Sequence, residues 1–100
     1  MTTRDLIKEF VRFADENLVP KLNKLGAAAF YFAVGVMLDA EVLDARLRLV
    51  GAVREDGTVD LKRLKAGSDL VFDKTDAIEI GGFKFTRDDA KAFLEELGAA

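Results

Sequence analysis

Nearly all the residues of this chain that could do chemistry are carboxylates. Asp73 with Asp76, Asp88 with Asp89, and Glu95 with Glu96 form close pairs. Paired carboxylates can hold Mg²⁺ or divide acid and base work between them. They need a nucleophile, an electrophile or further ligands beside them, and the composition withholds these. The chain has no His, no Cys and a single serine, Ser68. Ser–His and Cys–His arrangements are therefore impossible, as are cysteine–zinc sites and disulfides. The commoner use of such carboxylates is structural. Asp88 and Asp89 fall where a helix would begin, the position at which its dipole favours negative charge. Glu95 and Glu96 fall on the solvated side of the same helix.

Two other segments invite a chemical reading and fail it. Asp56-Gly57-Thr58-Val59-Asp60 resembles part of a calcium-binding EF-hand loop. Placing Gly57 at the loop's invariant sixth position puts Ala52, Arg54 and Arg63 at the first, third and twelfth, where oxygen ligands are required. A turn followed by a helix cap fits better. Gly81-Gly82 lacks the lysine, the length and the strand–loop–helix order of a phosphate loop. No catalytic residue, metal ligand or cofactor is expected, and the chain reads as a non-enzyme.

Charge offers a binding alternative. Net charge is −3, but residues 46–65 carry six basic groups against three acidic ones, and residues 66–100 carry four against eight. Arg46, Arg48, Arg54, Lys62, Arg63 and Lys65 form the basic set. They suit a nucleic acid or, better, an acidic protein partner. No aromatic residue lies among them to stack on bases, and the chain as a whole is acidic, so nucleic acid is the weaker fit. A solvated charged surface is the plainer account.

These residues must be positioned by the elements around them. With half of its 100 residues hydrophobic, eight of them Phe, the chain has material for one core and one domain, residues 1–100. The expected fold is mainly α (α+β): four or five helices around a central apolar helix, with one C-terminal β-hairpin. Thr3 is expected to cap a first helix reaching about Val19, with Ile7, Phe10, Val11, Ala14 and Leu18 on one side. Pro20 suits the first turn of a second helix reaching Leu38. A third helix is expected from Glu41 to Val50, closed by Gly51, although Arg46–Val50 also alternates like a strand. Asp60 caps a fourth helix from Leu61 to about Phe72, which Gly67 could divide in two. Ala77–Ile80 and Phe83–Phe85 flank Gly81-Gly82, the signature of a two-residue hairpin, with Ile80 opposite Phe83 and Ile78 opposite Phe85. Thr86 and Asp89 then cap the last helix, which Gly98 ends.

The second helix poses the functional question. Residues 25–38 contain no charge in a chain that is 33% charged. The run is shorter than the roughly 20 residues that cross a bilayer, and Asp39, Glu41 and Asp44 follow at once. No membrane span is expected, and the N-terminus has no signal-peptide core. An apolar pattern on every side predicts a helix enclosed by neighbours. Gly26, Ala29 and Ala33 form a small-residue stripe that another helix could approach closely, with Phe30 and Val34 on one side of it and Leu25 and Phe32 on the other. Tyr31 lies away from the stripe, where its hydroxyl could reach water. Either helix one fills the stripe, or a second copy shares the task.

The leading functional expectation is a cytoplasmic interaction or assembly protein, a homodimer or small homo-oligomer, with Gly26, Ala29, Ala33 and Tyr31 at its interface. The basic 46–65 segment is the alternative. A ligand carrier or small enzyme using carboxylates or Tyr31 in a pocket beside helix two is the third.

Overall fold

The computed structural model describes residues 1–98. Helix α1 spans Thr3–Asn17 and is capped by Thr2 in a full capping box with Asp5, one residue earlier than the sequence suggests. Thr3 is instead a buried residue of the first turn. Pro20 does not open the second helix. It sits in a single 3₁₀ turn, Val19–Lys21, and α2 begins four residues later at Lys24. The reason is local: the Asn23 side chain accepts the Gly26 N–H at 2.7 Å, which makes Asn23 the cap. Helix α2 then runs Lys24–Met37 and α3 runs Ala40–Leu49.

The strand alternative for Arg46–Val50 is overturned. Asp39 accepts the N–H groups of Glu41 and Val42, and Gly51 takes φ +75° just beyond the helix end, so both ends of α3 are fixed by sequence-local contacts. Helix α4, Leu61–Lys74, is unbroken, because Gly67 lies on an exposed face where it weakens the helix without interrupting it. Strands β1 (Ala77–Ile80) and β2 (Phe83–Thr86) form the hairpin in the expected register, with Glu79 opposite Lys84 on the solvent side. Thr86 and Asp89 form the capping box of α5, Arg87–Glu96.

The Phe rings build the core. Phe10 meets Phe85 and Phe93 edge to face at 5.7 and 5.4 Å, and Phe30 of α2 meets Phe83 of the hairpin at 5.8 Å. Such edge-to-face pairs add to the burial of the rings. The hairpin therefore lies between α5 and α2, packed on both. Loop 51–60 closes the far end through bridges pairing Val53 with Val59 and Thr2 with Thr58.

Candidate functional site

Helix α2 is not enclosed by its neighbours. Phe30 is fully buried and Val34 nearly so, while Leu25, Phe32 and Val36 are 81%, 77% and 66% exposed. At 100° per residue these three lie about 160° to 180° around the helix from Val34. Ala28, Ala29 and Gly35 are exposed beside them, so one side of α2 beyond its first residue, Lys24, is an apolar surface. Seven of the eight phenylalanines stack with another ring; Phe32 alone has no aromatic partner among the described residues.

The small-residue stripe proves to be the border of this surface. Gly26 and Ala33 are half-buried and Ala29 is exposed. Helix α1 does not occupy the stripe at Gly26, where an added methyl would meet only Asn23 and Leu22. What approaches α2 closely is the hairpin turn: a Cβ on Gly81 would lie 2.5 Å from the Ala29 carbonyl oxygen, and Gly81 has φ +58°. Only glycine meets both demands.

Tyr31 marks the opposite border. Its hydroxyl donates to the Asp15 carboxylate of α1, and the ring is 43% exposed. That hydrogen bond, with desolvation and the charge of Asp15 behind it, pushes the phenol pKa up. Tyr31 thus ties α1 to α2 and lines none of the four hollows described among residues 1–98.

The most apolar concave feature is a partly open hollow among the helices, about 310 Å³ in volume. All five helices and β1 reach it, through residues that include Phe10, Val34, Leu43, Leu64, Ile78 and Phe93. Ser68 supplies its one polar side chain. No carboxylate and no tyrosine enters, so the polar pocket expected of a carboxylate- or Tyr31-based carrier or enzyme is not the pocket found beside α2. On the far side of Ser68 and Leu94 lies a polar cleft lined by Lys65, Arg87 and Lys91 against Asp69 and Glu95.

Several carboxylates take structural posts, and of the candidate pairs Asp89 caps α5 and Asp73 pairs with Arg87 at 3.3 Å. Asp89 accepts from Thr86, Asp60 caps α4, and the Asp56 carboxylate accepts the Thr58 hydroxyl and N–H. The Thr58 hydroxyl above all holds the Asp56 carboxyl below its ordinary range. Among the described residues no three His, Cys, Asp or Glu side chains gather as metal ligands would.

Half of the basic set is engaged within the chain. Arg48 pairs with Asp44 at 2.7 Å, Arg54 with Asp60 at 3.8 Å and Lys65 with Asp69 at 3.6 Å. Arg46, Lys62 and Arg63 form no ion pair among the described residues. Asp44 also accepts the buried Thr3 hydroxyl at 2.6 Å, a contact between α3 and α1 that sequence spacing does not reveal. That hydroxyl first, then Arg48, keeps the Asp44 carboxyl below the usual carboxylate range.

Comparison with protein-family models, with curated proteins and with solved structures found no match to this chain. Nor is any single helix long and apolar enough to cross a membrane.

Proposed function

We propose that the protein is a non-enzymatic assembly module of the cytoplasm that pairs with a second copy of itself through the outer side of α2. The observation that carries this reading is the apolar surface on which Leu25, Phe32 and Val36 stand exposed. Apolar patches of that kind mark interaction surfaces. The order of residues along it is self-complementary. A twofold axis passing between Phe30 and Tyr31, with the helices antiparallel, sets Phe32 over the partner's Ala29 and Leu25 against the partner's Val36. Large meets small at the centre, as an isologous interface requires. The exposed small residues Ala28 and Gly35 let the two backbones come close. The missing His and Cys support the non-enzymatic part, and the absence of Cys suits a reducing compartment.

Size-exclusion chromatography with light scattering tests it. The expected mass is that of a dimer at micromolar concentration, and Phe32→Glu should return it to a monomer that keeps its helical circular-dichroism spectrum and loses the concentration dependence of its melting temperature. A strict monomer at high micromolar concentration overturns the reading. So does retention on neutral phosphatidylcholine vesicles in place of self-association, since lipid would then be what covers the surface.

A further inference from the structure

We propose that the apolar hollow is a binding site for a hydrocarbon chain of up to about twelve carbons, estimated by scaling from the roughly 150 Å³ that holds benzene's six carbons to the 310 Å³ found here. The walls define the ligand class. Thirteen of the fourteen lining residues are aliphatic, aromatic or methionine, and the fourteenth is Ser68. Nothing in the hollow can neutralise a charge or satisfy several hydrogen bonds, so the enclosed part of the ligand is uncharged and apolar. Ligand sites are concave, mainly apolar and about 300–1,000 Å³ in size, and this one lies at the small end.

A second copy does not fill the hollow in the pairing described above. Val34 and Leu38 face the hollow, whereas Leu25, Phe32 and Val36 face away from it across the helix. The two features of α2 are therefore independent. The ligand has two routes to solvent. Met37, 55% exposed, stands at one edge of the hollow. At the other, Ser68 and Leu94 are shared with the polar cleft, where Lys65, Arg87 and Lys91 outnumber Asp69 and Glu95. A polar head group at the Ser68 end would sit among those charges, while the chain remains inside.

The full-length chain is titrated with decanoate and with decan-1-ol below their aggregation limits, followed by ¹H–¹⁵N NMR and by thermal melting. Saturable one-to-one binding is expected, with shifts at Leu64, Ser68, Ala90 and Leu94 and a melting temperature that climbs with ligand concentration. Affinity should rise about fourfold per added methylene from hexanol upward and level off near twelve carbons. Ser68→Leu and Leu43→Phe, which fill the hollow from two different helices, should each weaken binding at least tenfold without lowering the melting temperature of the free protein. Decanoate preferred over decanol, with the preference lost in Lys91→Glu, would assign a fatty acid; equal affinity would assign a neutral lipid chain. Phe32→Glu should bind as the parent does, even as a monomer. Absence of saturable binding by either probe overturns the proposal. Binding undiminished in both filled variants does so too, and so does binding lost in Phe32→Glu, which would place the chains on the outer surface of α2.

Discussion

The two sides of α2 are built from the same kinds of residue and meet opposite fates. Phe30 and Phe32 are separated by one position; the first is wholly buried against Phe83, and the second is 77% exposed. Val34 and Val36 repeat the contrast at 8% and 66%. Side-chain hydrophobicity does not separate them, since the residue types are identical. Position in the fold does: Phe30 meets Phe83 and Val34 lines the hollow, with the turn seated on the Ala29 backbone through Gly81, while Phe32 and Val36 face outward. The lesson is that burial here is assigned by long-range packing around the helix rather than by the helix's own pattern.

Paired substitutions break or sharpen that contrast. Phe30→Ala should destabilise the fold by about 3–5 kcal/mol, the usual cost of removing a buried Phe. Phe32→Ala should change the stability of the monomer by no more than about 0.5 kcal/mol, as exposed substitutions generally do, while weakening self-association. Urea unfolding measures the first quantity and sedimentation the second; equal losses in stability for both variants would erase the distinction between the two sides. Next in size is the hairpin turn. Gly81→Ala meets both a positive φ and the Ala29 carbonyl, and should cost about 2–3 kcal/mol. Gly82→Ala has φ +83° but open space around the new methyl, so about 1 kcal/mol is expected for the backbone alone. If Gly82→Ala proves the more damaging by thermal melting, the turn is not what seats α2.

A smaller effect acts on both sides together. Asn23→Ala removes the cap of α2 and should cost about 1 kcal/mol, lowering thermal stability and dimer affinity in parallel because one helix bears both surfaces. The smallest marks the border. Tyr31 is the only tyrosine and the chain has no Trp, so its ionisation can be followed cleanly by ultraviolet absorbance. Its midpoint should lie above the ordinary value of about 10, and Asp15→Asn should bring it back towards that value. The sign follows from linkage. A raised pKa means the folded state holds the phenol proton more tightly, so the Tyr31–Asp15 contribution is full below the unfolded value and fades as pH rises through the folded one. A midpoint unmoved by Asp15→Asn would detach Tyr31 from α1.

Much of the fold was legible because its signals are local. The hairpin register follows from Gly81-Gly82 between alternating residues, and Thr86 with Asp89 and Asp60 before Leu61 mark helix starts through contacts three residues away or fewer. Local competition also explains the misplaced start of α2, where Asn23 out-caps Pro20. The candidate site was less legible. An apolar helix carries no periodic asymmetry, so enclosure on every side and exposure on one look alike in the sequence. Leu25 and Phe32 could be grouped together by spacing, yet nothing in the spacing said they face water. The hollow leaves still less trace, because six elements must be in place before it exists.

The contact between Gly81 and Ala29 also bears on the order in which the chain folds. A hairpin with a two-residue turn can close within about 1–10 μs, because its partners are neighbours in sequence. Seating it on α2 must wait until residues 29 and 81 meet, which requires everything between them to be gathered first. The hairpin should thus be early to form and late to dock. Docking sets Phe30 against Phe83, so the inward side of α2 is completed only in that late step.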